Sequence, residues 1–131
     1  MQSCREENPA TARWRSTGLR IRCALCPDEP RLLVRYLNEA RQLAERQGTS
    51  PWRIFEACLD LLLRSAEDRA LPAHWRAQCL DYAYLPLQEL RHHARSSALQ
   101  RRLRALQWRL ATLNLAPSLR YHDPEEGAQR D

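Results

Sequence analysis

Apolar residues recur every three or four positions along most of this chain, and this spacing predicts helices rather than strands. Five helices are predicted, over residues 12–25, 28–47, 51–69, 71–90 and 97–113. The first helix places Trp14, Thr17, Ile21 and Leu25 on one side, with Gly18 as a weak point. The second keeps its apolar residues within about 140° of arc, which is typical of a helix with one buried face.

Proline, glycine and small polar residues mark where the helices begin and end. Asp28 and Pro30 supply an N-cap candidate and a first-turn proline for the second helix, and Gly48 closes that helix. Ser50 and Pro51 repeat the same start signal for the third helix. The links between helices are therefore short, so neighbouring helices are expected to be mostly antiparallel.

The helix predicted over residues 51–69 is apolar over more than half of its circumference. Its polar residues form one narrow strip, made of Arg53, Glu56, Asp60, Arg64 and Glu67. A helix that is apolar on so many sides is expected to lie at the centre of a bundle, in contact with at least two other helices.

Two features shape the C-terminal half of the chain. Pro86 removes a backbone hydrogen bond and crowds the preceding turn, so the fourth helix is expected to kink near Tyr84 or to break in two. The last helix carries leucines that are alternately four and three positions apart, which predicts a narrow seam against a neighbouring helix. These leucines are Leu99, Leu103, Leu106, Leu110 and Leu113.

The pattern as a whole predicts an all-α fold, a single-domain bundle of about five mostly antiparallel helices around the central helix 51–69. A chain of 131 residues fits one domain with a sizeable core. We assign residues 12–117 to the bundle. Residues 1–11 and 118–131 are predicted to be flexible tails, because they are polar and charged and carry little apolar sequence.

Composition excludes several kinds of chemistry. All 21 basic residues are arginine. Without lysine there is no Schiff-base lysine, no lysine general base and no phosphate-loop lysine. The three glycines are isolated, so the glycine motifs of dinucleotide-binding, phosphate-loop and serine-hydrolase sites are absent. The net charge of +5 suits an acidic partner but is too small to make nucleic acid the default one.

The N-terminal segment is typical of neither a secretory signal nor a transit peptide, since it carries two adjacent acids and no apolar core. No apolar stretch approaches the roughly 20 residues that a bilayer-spanning helix needs. We therefore expect a cytoplasmic protein without membrane contact. The five cysteines of such a chain are expected to be reduced thiols rather than a disulfide framework.

Cys23 and Cys26 form a Cys-x-x-Cys pair that suits a metal clip, a redox site or a helix boundary. A redox pair gains reactivity at a helix N-terminus, whereas this pair ends a predicted helix. A zinc site needs two more ligands of comparable quality, and the chain has no second Cys-x-x-Cys and no His-x-x-x-His. The structural role is therefore favoured. Cys58 and Cys79 lie on apolar helix faces, where cysteine commonly serves as a small hydrophobic residue.

Histidines supply the other candidate metal ligands. His74 shares a helix face with Gln78 and Asp81, and these groups suit a metal site if further ligands come from elsewhere. An ordinary hydrated helix face explains the same three residues and is the favoured interpretation. His92 and His93 are expected to lie in a surface connection.

The side of the last helix opposite the leucine seam carries Arg101, Arg104 and Trp108, which we call the Trp108 patch. Two guanidinium groups beside an indole suit the docking of an acidic protein partner. They also suit single-stranded nucleic acid, although one ring without repeated aromatics makes a poor base-stacking surface. The simplest structural explanation is that the first helix or the C-terminal tail covers Trp108.

Three segments resemble the FagA family of pseudomonads, namely IRCALCPDEPRLL, TSPWRIFEACLDLLL and LPAHWRAQCLDYAYLPLQEL. The resemblance extends over about residues 14–119. Members of that family are small proteins controlled by the ferric uptake repressor and encoded beside fumarase and manganese superoxide dismutase. The resemblance implies an accessory protein made when iron is scarce. It implies no site residues, and it implies that the second cysteine of the pair, at Cys26, is peculiar to this chain because that position is often an acid in the family.

The residues and the resemblance together predict a non-enzymatic cytoplasmic accessory protein of the iron-limitation response. It is expected to bind a protein partner or a second copy of itself through the Trp108 patch, without a cofactor. Nucleic acid and membranes are not expected as partners. The alternative is a metal-binding or metal-sensing protein that uses Cys23, Cys26, His74 and Asp81.

Overall fold

The computed structural model describes residues 8–119, and over this range the chain is helical with no strand. The helices of this range are α1 (Pro9–Arg22), α2 (Arg31–Ala44), α3 (Pro51–Glu67), α4 (Ala73–Tyr82), α5 (Tyr84–His93) and α6 (Ser97–Ala111). The predicted all-α fold is confirmed, and α4 and α5 together correspond to the predicted fourth helix. Each helix between residues 8 and 119 is too short or too polar to cross a lipid bilayer.

Helix α3 forms the centre of the bundle. It packs against α1, α2, α4 and α5. Leu59, Leu62 and Leu63 have no solvent-accessible surface, and Phe55 is almost as deeply buried. A helix that is apolar on most sides can bury those sides only by contacting several neighbours, so the predicted central position is confirmed.

The predicted start signals are correct for α3 and wrong for α2. The Ser50 side chain caps α3 by accepting a hydrogen bond from the backbone N–H of Arg53 at 3.3 Å. At α2 the N-cap position is Pro30, and no side chain caps the helix. The Asp28 carboxylate lies 3.2 Å from His74 Nε2 instead, which links the connection before α2 to α4.

Helix α1 begins and ends three residues earlier than predicted. Asn8 caps it by accepting a hydrogen bond from the backbone N–H of Ala10, and the helix starts at Pro9, inside the tail predicted over residues 1–11. Leu25 was expected on the buried side but is 63% exposed, because the chain leaves the helix after Arg22. Residues 1–7 of the predicted N-terminal tail lie outside the described residues.

The predicted fourth helix breaks at Ala83, as the position of Pro86 indicated. Pro86 lies in the first turn of α5, where a missing N–H breaks no helical hydrogen bond. Helix α5 continues through His92 and His93, so the expectation that these histidines lie in a surface connection is wrong. His93 is half-buried and stacks on Phe55, with ring centroids 6.1 Å apart.

The segment after α6 is fastened to the connection between α3 and α4. The backbone N–H of Leu119 donates to the Arg69 carbonyl at 2.7 Å, and Arg69 Nε donates to the Pro117 carbonyl at 2.8 Å. Ser118 Oγ donates to the Leu71 carbonyl at 2.6 Å. The first two residues of the tail predicted over 118–131 are thus held by hydrogen bonds, and residues 120–131 lie outside the described range.

A buried arginine supports the same end of the bundle. Arg76 is only 5% exposed, and its Nε donates to the Ala66 carbonyl at 2.7 Å. That carbonyl lies in the last turn of α3, where the helix dipole favours a positive charge. Arg76 Nη1 also donates to Ser118 Oγ at 3.0 Å, so one guanidinium joins the end of α3 to the C-terminal segment.

Candidate functional site

Helix α6 lies at the edge of the bundle. Its leucine seam, which consists of Leu99, Leu103, Leu106 and Leu110, packs partly buried against the core. No residue of α6 is buried completely. The predicted seam is therefore present, but it covers the core from one side only and leaves the rest of α6 open to solvent.

Ion pairs supplement the seam between α6 and α3. Arg102 pairs with Glu56, and Arg109 lies 2.8 Å from Asp60 and 3.8 Å from Glu67. The acids of the α3 polar strip thus face α6 and neutralise two of its arginines. Surface pairs of this kind contribute about 0–1 kcal/mol each, so they orient α6 more than they stabilise it.

The Trp108 patch lies on the opposite side of α6 and is open. The Trp108 side chain is 69% exposed, and Arg101 and Arg104 are also exposed. Neither arginine has a hydrogen bond or an ion pair with any residue between 8 and 119. Since α6 itself contains no acidic residue, the positive charge of this side is not compensated locally.

The expectation that other parts of the chain cover Trp108 fails over the described range. Helix α1 packs against α2 and α3 rather than against α6. The segment that follows α6 runs to Arg69 and Leu71 and leaves the indole exposed. Whether the chain after Leu119 reaches Trp108 concerns residues outside the described range.

Apart from Arg104, the helix positions next to Trp108 carry small side chains. Ala105, Ala111 and Thr112 lie three or four positions from Trp108 on α6, and all three are exposed. The indole therefore projects from a helix face that carries short side chains at three of its four neighbouring positions and Arg104 at the fourth.

The Cys-x-x-Cys pair lies at the end of α1. Cys23 is the C-cap residue, and the next two residues close a Schellman motif. The backbone N–H of Ala24 donates to the Ile21 carbonyl and that of Leu25 donates to the Arg20 carbonyl, each at 3.0 Å. Ala24 adopts the left-handed conformation, with φ of 52°, that this motif needs. Cys23 itself is exposed.

The four residues of the predicted alternative metal site are not gathered at one point. Cys26 is half-buried, and its sulfur lies 3.7 Å from Arg20 Nη2. His74 contacts Asp28, and Asp81 is exposed on α4. Between residues 8 and 119, no three Cys, His, Asp or Glu side chains converge in a way that could hold a metal ion.

Cys58 and Cys79 belong to the core. Burial raises the pKa of each thiol to about 12, because the apolar surroundings disfavour the thiolate. Both side chains therefore stay protonated near neutral pH. Both side chains are fully buried among apolar neighbours, so these two cysteines serve as packing residues.

The Trp108 patch is predictable from the sequence because helical spacing separates the two sides of α6. A cleft between α1, α2 and α3, lined by Trp14 and Tyr36, is not predictable in this way. Both aromatic residues have the spacing of buried positions, but spacing within one helix does not tell which helices meet. The only local signal was Gly18, whose place inside a helix had no explanation from the sequence.

A comparison of the chain with protein-family models, with curated proteins and with solved structures found no match. The FagA resemblance therefore stays a prediction.

Proposed function

We propose that this protein acts by binding an acidic segment of another protein through the Trp108 patch, rather than by catalysis. The observation that carries this proposal is an indole that is 69% exposed beside two arginines without a partner in the described range. Trp and Arg are the residues that most often dominate the energy of protein interfaces.

Charge favours an acidic partner. On the inner side of α6, Arg102 and Arg109 are paired with acids of α3. On the outer side, Arg101 and Arg104 lack such acids, so both guanidinium groups are available to the carboxylates of a partner. A carboxylate can bind a guanidinium through two parallel hydrogen bonds, which gives direction as well as attraction.

Shape favours a helical or extended partner segment. The small residues around Trp108 allow a second backbone to approach, and the indole then fills a pocket on the partner. Truncation of such a central aromatic anchor typically costs about 2 kcal/mol or more, which corresponds to roughly 30-fold in Kd.

The same charges disfavour a symmetric homodimer through this face. In a two-fold contact the same surface of both copies meets, so Arg101 and Arg104 of one copy would approach those of the other. No acid of α6 offsets this repulsion. A partner of different sequence therefore fits better than a second copy.

We also propose that the protein acts in the cytoplasm during iron limitation. The FagA resemblance supports this setting. Protein abundance measured in cultures with and without an iron chelator tests it, and equal abundance in both cultures would contradict it.

The binding proposal is tested by cross-linking from the patch. A photoreactive amino acid in place of Ala105 should capture a specific protein in iron-limited cells. The captured protein is then purified, and its Kd is measured for the wild type, for Trp108→Ala, for Arg101→Glu with Arg104→Glu, and for Arg46→Glu. Arg46 is an exposed arginine just after α2, so its variant controls for general charge effects.

We expect Trp108→Ala to weaken binding by about 30-fold. The double Arg→Glu variant should weaken it at least as much, and Arg46→Glu should leave it unchanged. Acid-to-Lys changes in the partner segment should restore binding to the double Arg→Glu variant. A captured protein that binds all variants equally, or a dimer of this chain as the only cross-linked product, would contradict the proposal.

A further inference from the structure

The chain carries an acidic segment just beyond the described range. Residues 123–126 read Asp-Pro-Glu-Glu, and residues 121–129 contain three carboxylates and no arginine. The last described residue before them is Leu119. Arg101 and Arg104 of the Trp108 patch have no acid on their own helix and no ion pair between residues 8 and 119. The negative charge that the patch lacks is therefore available in the same chain.

This segment starts from a fixed point near the Trp108 end of α6. The backbone N–H of Leu119 donates to the carbonyl of Arg69 at 2.7 Å, just beyond the end of α3. Oε1 of Glu67, the last residue of α3, lies 3.8 Å from Nη2 of Arg109, which follows Trp108 on α6. Leu119 and the last turn of α6 therefore adjoin the same end of α3.

The segment is long enough to reach the outer side of α6. An extended chain advances about 3.3–3.6 Å per residue, so Asp123 can lie up to about 14 Å and Glu126 up to about 25 Å from Leu119. A helix with its side chains is about 10–12 Å across, and Arg101 precedes Trp108 by about 10 Å along the helix axis. The carboxylates can therefore pass around α6 and reach both arginines of the patch.

We propose that residues 121–126 bind the Trp108 patch of the same chain and compete there with an acidic partner. Docking requires only the charges that this chain carries. Its regulatory consequence, that a partner has to displace the segment, rests on the proposed function of the patch. The segment screens the patch from weak acidic ligands and leaves it open to a partner that binds more tightly.

The spacing of the acids fits the spacing of the arginines. Alternate side chains of an extended chain point to the same side, so Asp123 and Glu125 lie about 7 Å apart on one side of the segment. Arg101 and Arg104 lie about 5–6 Å apart on one side of α6. Tyr121 shares the side of the two acids, so its ring is directed to the indole of the patch when the acids are paired.

The tether makes this contact effective although each part of it is weak. An exposed ion pair adds only up to about fivefold to an equilibrium constant, so two pairs hold a separate peptide weakly. A tether of a few residues raises the local concentration of the segment to about the millimolar range. Docking is therefore expected to be partial, which is what a displaceable competitor requires.

Paramagnetic relaxation in the full ¹⁵N-labelled chain tests the docking. A nitroxide label is attached at Ala128→Cys, and all cysteines except the two buried ones are first changed to serine. These are Cys4, Cys23 and Cys26. We expect the label to broaden the amide signals of Arg104 and Ala105 about twofold more than that of Val34, which is exposed on α2.

Neutralising the acids of the segment should remove most of this broadening. The neutralised variant is Asp123→Asn, Glu125→Gln, Glu126→Gln. The matched control removes the same charge at exposed positions elsewhere, as Glu29→Gln, Glu45→Gln, Asp81→Asn, and should behave as the wild type does. Salt at 1 M shortens the Debye length to about 3 Å and should act like the neutralised variant.

A peptide of residues 121–129 serves as the acidic probe for competition. Shifts of the Arg104 amide measure its Kd for the full chain without the spin label. The neutralised variant should bind the peptide about twofold more tightly than the wild type and the matched control do, because its own segment no longer occupies the patch.

Equal broadening in the neutralised variant and its matched control would overturn the proposal, since the contact would not depend on the acids. Broadening that appears only when the label and ¹⁵N are on different copies, in a mixed sample, would assign the contact to a second copy and overturn it too. Equal peptide affinity of the neutralised variant and the wild type would refute competition. Each readout is independent of a captured cellular partner, so failure of the proposed function stays distinguishable from failure of docking.

Discussion

Replacing Gly18 with alanine sets two opposite effects of known size against each other. In a solvent-exposed helix, Gly→Ala stabilises by about 1 kcal/mol, because glycine has more backbone freedom to lose on folding. At Gly18 the added Cβ would meet Tyr36 Cε1 at 2.8 Å and Leu61 Cδ1 at 3.0 Å. Real Cβ atoms do not approach neighbours to 2.8 Å, so one of these side chains has to move.

The packing cost should exceed the gain in helix propensity. Overpacking a well-packed site costs about 1–3 kcal/mol. Leu61 is half-buried and can change rotamer, but the Tyr36 ring is 3% exposed and stacks on Trp14, so it has no space to retreat. We expect Gly18→Ala to lower the free energy of unfolding by about 1 kcal/mol net, which lowers Tm by about 4 °C.

Urea unfolding followed by circular dichroism at 222 nm measures this effect. Ser16→Ala is the matched control, because Ser16 is exposed on the same helix and should gain a few tenths of a kcal/mol from propensity alone. In a Leu61→Ala background the penalty of Gly18→Ala should be smaller, since one of the two clashing groups is gone. If Gly18→Ala raises the urea midpoint as Ser16→Ala does, the close packing of α1 on Tyr36 is refuted.

Three further predictions follow from single residues. Ala24 adopts the left-handed conformation, which costs alanine about 1–2 kcal/mol and costs glycine almost nothing. Ala24→Gly should therefore stabilise the protein by about 0.5–1 kcal/mol in urea titrations, because the larger entropy of glycine in the unfolded chain offsets part of the gain. A lower urea midpoint would contradict the Schellman motif. Cys23 should react with N-ethylmaleimide in the folded protein, whereas Cys58, which is buried and has a pKa of about 12, should react only after unfolding. Peptide mass spectrometry measures the reaction rate of each cysteine, and equal rates would contradict the burial of Cys58. The hydrogen bond that Arg22 donates to Asp68 at 2.6 Å lowers the pKa of the Asp68 carboxyl in the folded protein. The ionised Asp68 therefore stabilises the fold at pH values above the pKa that it has in the unfolded chain, and this stabilisation is lost as the pH falls through its lower pKa in the folded protein. Asp68→Asn should therefore lower Tm at neutral pH, and its Tm should fall less steeply than that of the wild type between about pH 5 and pH 3. Thermal unfolding at several pH values measures this. A pH dependence of Tm equal to that of the wild type would contradict the stabilising role of the Arg22–Asp68 pair.

Local chemistry was sufficient to predict most helix boundaries to within about three residues. Ser50 with Pro51 fixed the start of α3, and Pro86 indicated the break between α4 and α5, since both effects act within one turn of backbone. The cap at Asp28 failed because α2 begins at Arg31 with Pro30 at the N-cap position, so Asp28 lies two residues before the cap and beside His74. His93 was misplaced because its ring packs on Phe55 of another helix.

The candidate sites also differ in how far the sequence could predict them. The Trp108 patch could be predicted, because helical spacing alone assigns Trp108 and the leucine seam to opposite sides of α6. The exposure of Trp108 could not be predicted, because a segment that covers the indole can come from anywhere in the chain. The cleft beside Trp14 could not be predicted from the sequence, because its walls come from three helices whose contacts depend on how their side chains pack together.

By itself, the sequence determined that this chain is helical, that the segment from Pro51 belongs in the centre, and that lysine and glycine-loop chemistry are impossible. These properties follow from periodicity and residue type, which act locally. Only the tertiary structure decided that Gly18 allows α1 to pack closely on Tyr36 and Leu61, and that acids of α3 form ion pairs with arginines of α6. It also decided that the predicted metal ligands do not meet at one point. Such outcomes depend on distances between helices, and those distances are set by the packing of the whole core.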